Sequence, residues 1–204
     1  MAWPAVGVFV GGQGRRMGGV AKGLLLHEGR PLIERVLGAC RGAAAPGELE
    51  HVYLVGQATP YAATGVPSLA DAPAGVGPIG GLRALLLRAR EAGLEAVAVA
   101  VDLPFLGEGL VRRLCLEQPS VAVLAPRQVG RWQPLFARYQ PERVLPVLEA
   151  VLGQGQLALQ AVIGGVERRG GAVGELALTP EEERELHDWD QPGDIGGGLP
   201  TLEP

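Results

Sequence analysis

The 204 residues carry a formal charge of −4, with 20% of side chains charged. That balance disfavours broad nucleic-acid binding, which needs a basic face; no apolar run nears the roughly 20 residues of a membrane span, and no charged leader opens the chain, so a cytosolic protein is expected. Cys40 and Cys115 lie far apart in sequence and outside any C-x-x-C pair, which gives neither a zinc site nor a disulfide framework, and both are expected as buried, reduced thiols.

A chain of this length can bury one sizeable α/β core, and a single domain over residues 1–195 with a loose tail over 196–204 is expected. Ala5 to Val10 is a short apolar run of the kind buried in a parallel sheet. It feeds a loop with five glycines between Gly11 and Gly19 and with Arg15, Arg16 and Lys22, a combination that suits an anion such as a polyphosphate. Lys22 is the one lysine among eighteen basic residues, a compact point charge in a chain that otherwise uses arginine. No Gly-Lys-Ser/Thr follows, so the loop is not the P-loop of ATPases and GTPases; Met17 stands where the dinucleotide fingerprint needs its third glycine.

Pro31 to Ala45 has Leu32, Ile33, Val36, Leu37 and Cys40 at helical spacing, with Pro31 suited to a first helical position. His51 to Val55 reads as a strand. Tyr61 to Val66 is poorly patterned and ends near a short strand that delivers Asp71, after which a glycine- and proline-rich loop opens a helix through Gly80 and Gly81 to about Ala92. Those two glycines suit either ligand contact or a helix start too tightly packed for side chains. Ala96 to Val101 reads as the central strand and stops at Asp102-Leu103-Pro104-Phe105. Asp102 is open to two readings, the cap of a helix from Gly107 to Glu117 or a ligand at the carboxyl edge of the sheet.

Val121 to Ala125 is another buried strand, Gln128 to Arg131 a turn, and Trp132 to Ala137 a further strand, aromatic-rich and antiparallel, whose Gln133 needs no ligand role on residue type alone. Helices follow at Pro141–Leu152 and Gly155–Ile163, then a late strand at Val173–Leu178. Thr179-Pro180-Glu181-Glu182 is a capped helix start with acids matched to the helix dipole. His27, His51 and His187 lack ligand spacing.

Gly11-Gly12-x-x-Arg15-Arg16-Met17-Gly18-Gly19-x-x-Lys22-Gly23, followed by Gly29-Arg30-Pro31-Leu32-Ile33, resembles the opening of the molybdenum cofactor guanylyltransferase family. Asp71 with the Gly77–Gly81 loop, Asp102-x-Pro104-Phe105, Gln133-Pro134-Leu135-x-Ala137 and the Asp188-x-Asp190 ending resemble its later motifs, with Gln133 replacing histidine and two aspartates replacing asparagines. The resemblance implies a single-domain, Rossmann-like three-layer sandwich around a mostly parallel sheet. It implies transfer of GMP from GTP to molybdopterin with release of pyrophosphate and with Mg2+. In that picture Arg15 and Lys22 hold the triphosphate and Asp102 binds magnesium. Phe9, Val10, Gly11, Gly12, Asp71 and Gly80 line the nucleotide, and Gln133, Asp188 and Asp190 face the acceptor, which cofactor-delivery proteins supply. The alternatives are a CTP-dependent or sugar-type nucleotidyltransferase on the same fold, or a relative that binds GTP or cofactor without reacting.

Overall fold

The computed structural model describes residues 2–11 and 21–189. Their strands are β1 (Ala5–Phe9), β2 (Leu26–His27), β3 (Arg30–Pro31), β4 (Val52–Val55), β5 (Ser68–Leu69), β6 (Ala96–Ala100), β7 (Val123–Ala125), β8 (Arg127–Gln128), β9 (Arg131–Trp132), β10 (Phe136–Tyr139) and β11 (Val173–Glu175). The helices are α1 (Leu32–Ala43), α2 (Pro78–Glu91), α3 (Glu108–Leu116), α4 (Pro141–Gly153), α5 (Leu159–Arg168) and α6 (Pro180–Glu185). Seven strands form one sheet in the order β11-β7-β10-β6-β1-β4-β5, and only β10 runs against the rest.

Alternation along the central strands builds a layer on each face. Val6, Val8, Val97 and Val99 pack toward α1 and α3. Ala5, Phe9, Ala96 and Ala98 pack toward α2, α4 and α5. Small residues on that second face let α2 lie close to the sheet: a Cβ on Gly7 would stand 2.6 Å from Leu85 Cδ2. The result is the expected three-layer arrangement with a mostly parallel sheet.

The order of the sheet also fixes where ligands meet it. The chain leaves β1 through α1 to one side and reaches β6 through α2 on the other, so the connections diverge between β1 and β6. The carboxyl ends of diverging parallel strands leave a crevice there.

Several elements depart from the sequence expectation. Pro31 pairs with Leu26 in a small hairpin and precedes α1, because Glu28 and Gly29, with φ of 50° and 75°, turn the chain back first. Gly155, at φ 71°, terminates α4, so the next helix starts at Leu159, where Leu159, Val162, Ile163 and Val166 supply its buried stripe. The expected strand Trp132–Ala137 is divided: Arg131–Trp132 closes a hairpin on Arg127–Gln128, and the chain turns at Gln133 to Leu135 before β10 begins. The stretch after Ala58 is a 3-10 turn, Thr59–Thr64.

The capping box at Thr179 forms as its sequence suggests. The Thr179 Oγ1 accepts the Glu182 N–H at 3.3 Å while the Glu182 carboxylate accepts the Thr179 N–H at 2.9 Å. Glu182 also receives Arg113 of α3, and Glu185 accepts the Gly107 N–H at 2.8 Å, which fastens α6 over the start of α3. Cys40 and Cys115 are free and buried, and burial pushes the Cys40 thiol up to about 12. Among the described residues no helix is long and apolar enough to cross a membrane.

Candidate active site

Four strand ends converge at the carboxyl edge of the sheet. The Val10 N–H donates to Val55 O at 3.0 Å, and Phe9 O accepts the Val101 N–H at 3.2 Å, so Val10 and Gly11 emerge between β4 and β6. Gly56, at φ 102°, closes beneath them: a Cβ there would meet Gly11 N at 3.2 Å and Gly11 Cα at 3.3 Å. The Gly56 N–H donates to Leu69 O, two residues before Asp71.

Asp71 is half-buried, and burial pushes its carboxyl above the ordinary carboxylate range. It faces the start of α2. A Cβ on Gly81 would stand 2.6 Å from Val55 Cγ1, 3.0 Å from Asp71 Oδ1 and 3.1 Å from Phe9 Cε1; a Cβ on Gly80 would stand 2.5 Å from the carbonyl of Pro73. Both glycines are buried, as a tightly packed helix start requires. The Phe9 side chain belongs to the core beside α2, and Val10 packs on the opposite side of the sheet.

Lys22 opens a 3-10 turn, Lys22–Leu24, closed by the Leu25 N–H to Lys22 O at 3.0 Å. Its Nζ meets Asp102 Oδ2 at 2.8 Å, across 80 residues of sequence, with side-chain exposures of 19% and 17%. Asp102 follows β6 and sits ahead of α3, whose cap position is Gly107, so its side chain is spent on lysine and not on a helix end. Its carbonyl accepts the Trp189 N–H at 3.0 Å. His27 packs edge-on between Phe105 and Trp189, with centroids 5.0 and 5.2 Å away, and braces the two segments that flank Asp102.

A cavity of about 250 Å³ opens beside this pair, and Asp102, Gln133 and Asp188 line it together. The turn after β9 brings Gln133 there, since Leu135 O accepts the Ala100 N–H at 2.7 Å at the end of β6. A second, larger cavity of about 490 Å³ continues from the same Gln128, Gln133, Pro134, Leu186 and Asp188 toward Arg131, Trp132 and His187. The structure therefore joins Lys22 to Asp102, Asp71 to the Phe9–Gly11 strand end, and Gln133 and Asp188 to the cavity beside Asp102. Gly12, Arg15 and Asp190 lie outside the described residues.

Sequence reasoning missed Tyr61, Gln128 and Leu186. Tyr61 lies in an unpatterned stretch, and the two cavity residues carry no motif of their own.

A hard cation such as magnesium takes one or two carboxylates and fills its remaining positions with phosphate oxygens and water. Asp102, a partly exposed carboxylate at the cavity wall, suits that demand, and among the described residues no group of three or more acids, histidines or cysteines forms a self-sufficient metal cage. The donor set fits a metal that arrives with a polyphosphate.

The profile of the MobA-like NTP transferase domain matches residues 6–169. A molybdenum cofactor guanylyltransferase of Rhodobacter capsulatus is 44% identical over 162 residues, covering 78% of this chain and 79% of that relative. Another from Pseudomonas putida is 38% identical over 160 residues, covering 76% and 80%. Among solved structures, the molybdopterin-guanine dinucleotide biosynthesis protein A of Archaeoglobus fulgidus superposes with a TM-score of 0.69 at 25% identity, covering 94% of each chain. The 2-C-methyl-D-erythritol 4-phosphate cytidylyltransferase of Thermus thermophilus, at 18% identity and TM-score 0.65 over 95% of each chain, shares the fold. With the family profile spanning residues 6–169, relatives this similar over most of their length, and Lys22 paired with Asp102 at the carboxyl edge of the sheet, the chain belongs to the MobA-like NTP transferase family.

Proposed function

We propose that the protein transfers GMP from GTP to molybdopterin and releases pyrophosphate. The observation that carries this reading is the 2.8 Å contact between Lys22 and Asp102, the latter lining the same cavity as Gln133 and Asp188. Relatives named for guanylyl transfer support the choice of nucleotide. A phosphate oxygen of the acceptor attacks the α-phosphorus of GTP, a new P–O–P bond forms, and the bond to the β-phosphate breaks with its electron pair leaving on pyrophosphate. No protein nucleophile is required, so positioning and charge neutralisation carry the rate.

Lys22 exchanges its carboxylate partner for triphosphate oxygens when the nucleotide enters, and Asp102 is the residue that would hold a magnesium ion carried in with it. Bound magnesium supplies neutralisation of the phosphate charge that builds on the leaving group. Asp71 and the Phe9–Gly11 backbone border the nucleotide, and Arg15 adds a cation from the glycine loop. Gln133 and Asp188, joined by Asp190, orient the acceptor. In the same reading the reaction runs in the cytoplasm with acceptor handed over by a delivery protein.

Pyrophosphate release, measured with magnesium, molybdopterin and each of GTP, CTP, ATP and UTP, tests the reading. GTP-selective release that requires the acceptor is expected. Lys22→Ala and Asp102→Ala are each expected to lose at least about 10²-fold in turnover, as removal of one preorganised charge contact does, while circular dichroism stays native. CTP preference would move the protein to cytidylyl transfer, and silence with all four nucleotides would leave a binding module.

A further inference from the structure

Tyr61 has no part in the chemistry above, yet it is packed into the joint that holds Lys22 against Asp102. Its side chain is 1% exposed, and its hydroxyl oxygen accepts the N–H of Gly23 at 3.1 Å. A Cβ on Gly23 would lie 2.8 Å from Tyr61 Cε1, 3.0 Å from its hydroxyl and 2.8 Å from Val101 Cγ2. Gly23 follows Lys22 and Val101 precedes Asp102, so the chain neighbour of Lys22 is held between the Tyr61 ring and the chain neighbour of Asp102.

The tyrosine is itself anchored. Its N–H donates to Ala58 O at 2.8 Å, the Thr64 hydroxyl donates to its carbonyl at 2.8 Å, and Gly65, at φ 67°, ends the turn. The early N–H groups of a short helical turn have no acceptor inside that turn, and among the described residues the Gly23 N–H finds one in Tyr61. A tyrosine needed merely to fill the core would work as well as phenylalanine. This one directs its polar atom at the backbone of the lysine turn, where glycine is the residue that fits.

We propose that Tyr61 is a positioning residue for nucleotidyl transfer: its hydroxyl sets the Lys22–Leu24 turn and its ring holds Gly23 against Val101, which keeps the Lys22 ammonium aligned with Asp102. The role rests on Lys22 and Asp102 being the transfer pair. Tyr61→Phe keeps the ring and removes the acceptor, leaving a buried Gly23 N–H unpaired. Gly23→Ala disturbs the same contact from the other side.

The chain's single lysine makes the test direct, because an amine-reactive ester reports Lys22 alone once its peptide is separated from the amino terminus by mass spectrometry. Both variants are expected to label at Lys22 several-fold faster than the parent protein, approaching the rate in Asp102→Asn. GTP affinity is expected to fall several-fold in Tyr61→Phe and to fall no further when that change is added to Lys22→Met. A parental labelling rate in both folded variants overturns the proposal, as does an equal loss of GTP affinity with and without Lys22, which marks general loosening. If the parent protein binds no GTP, the proposed function fails, and the labelling rates still decide whether Tyr61 positions Lys22.

Discussion

Gly38→Ala and Gly81→Ala are the same chemical change within two helices, and the structure assigns them opposite signs. Each gains about 1 kcal/mol of helix propensity, because alanine loses less backbone freedom than glycine. At Gly38, on the exposed face of α1, a Cβ meets nothing within 4 Å, so the gain is kept. At Gly81 the new methyl would stand 2.6 Å from Val55 Cγ1 and 3.1 Å from Phe9 Cε1, both buried side chains with little room to move. Forcing a methyl into such packing costs about 1–3 kcal/mol. The two variants should therefore differ by about that amount, or roughly 2–12 °C in Tm at about 2–4 °C per kcal/mol for a chain of this size. Thermal unfolding by circular dichroism without ligand measures it. Because the methyl also sits 3.0 Å from Asp71 Oδ1, Gly81→Ala should weaken GTP affinity, which Gly38→Ala should leave unchanged. Equal stabilisation by both substitutions would refute the packing argument, and parental GTP affinity in Gly81→Ala would refute the placement of Asp71 at the nucleotide.

Arg138 of β10 is 1% exposed, pairs with Glu95 at 3.1 Å and donates to the carbonyls of Cys115 at 3.0 Å and Gln118 at 2.7 Å, which closes the end of α3. Arg138→Ala should destabilise by about 3–5 kcal/mol, since it leaves those partners without their cation; a loss under about 1 kcal/mol in urea unfolding would show that water replaces it freely. Asp71 makes a pH-dependent contribution of the opposite kind. Its folded-state pKa is raised by burial, so ionisation costs stability as pH rises through the carboxylate range, and the cost is absent below the ordinary value of about 3.9. Asp71→Asn should raise Tm at pH 7 while weakening GTP binding, and the gain should shrink toward pH 4; a gain that grows on acidification would contradict the burial of the charge.

Cavity formation also depends on elements whose direction the chain does not announce. Gln133-Pro134-Leu135 reads as the middle of a strand, yet it turns, because Phe136 N–H folds back to Gln133 O at 3.0 Å and the Tyr139 hydroxyl caps Pro134 O at 2.7 Å. Reversal of β10 then carries Gln133 to the same edge as Asp102, an outcome that the residue types in this stretch share with a simple buried strand.

The local elements were legible because their signals are local. The apolar runs of β1 and β6, the stripe of α1, the glycine- and proline-rich opening of α2 and the Thr179 capping box each follow from residues within a few positions of one another. The lone lysine in a basic glycine loop and the aspartate after the central strand could likewise be picked out, and their resemblance to a known family joined them in one site. Physical periodicity alone could not have brought them to 2.8 Å, since Lys22 and Asp102 are 80 residues apart and meet only because the sheet order sets β1 beside β6. Tyr61, the burial of Arg138 and the tightness at Gly81 were decided in the same way. Each depends on which elements pack together, and that is settled by burial of both faces of the sheet across the whole chain, a free energy that no short window of sequence contains.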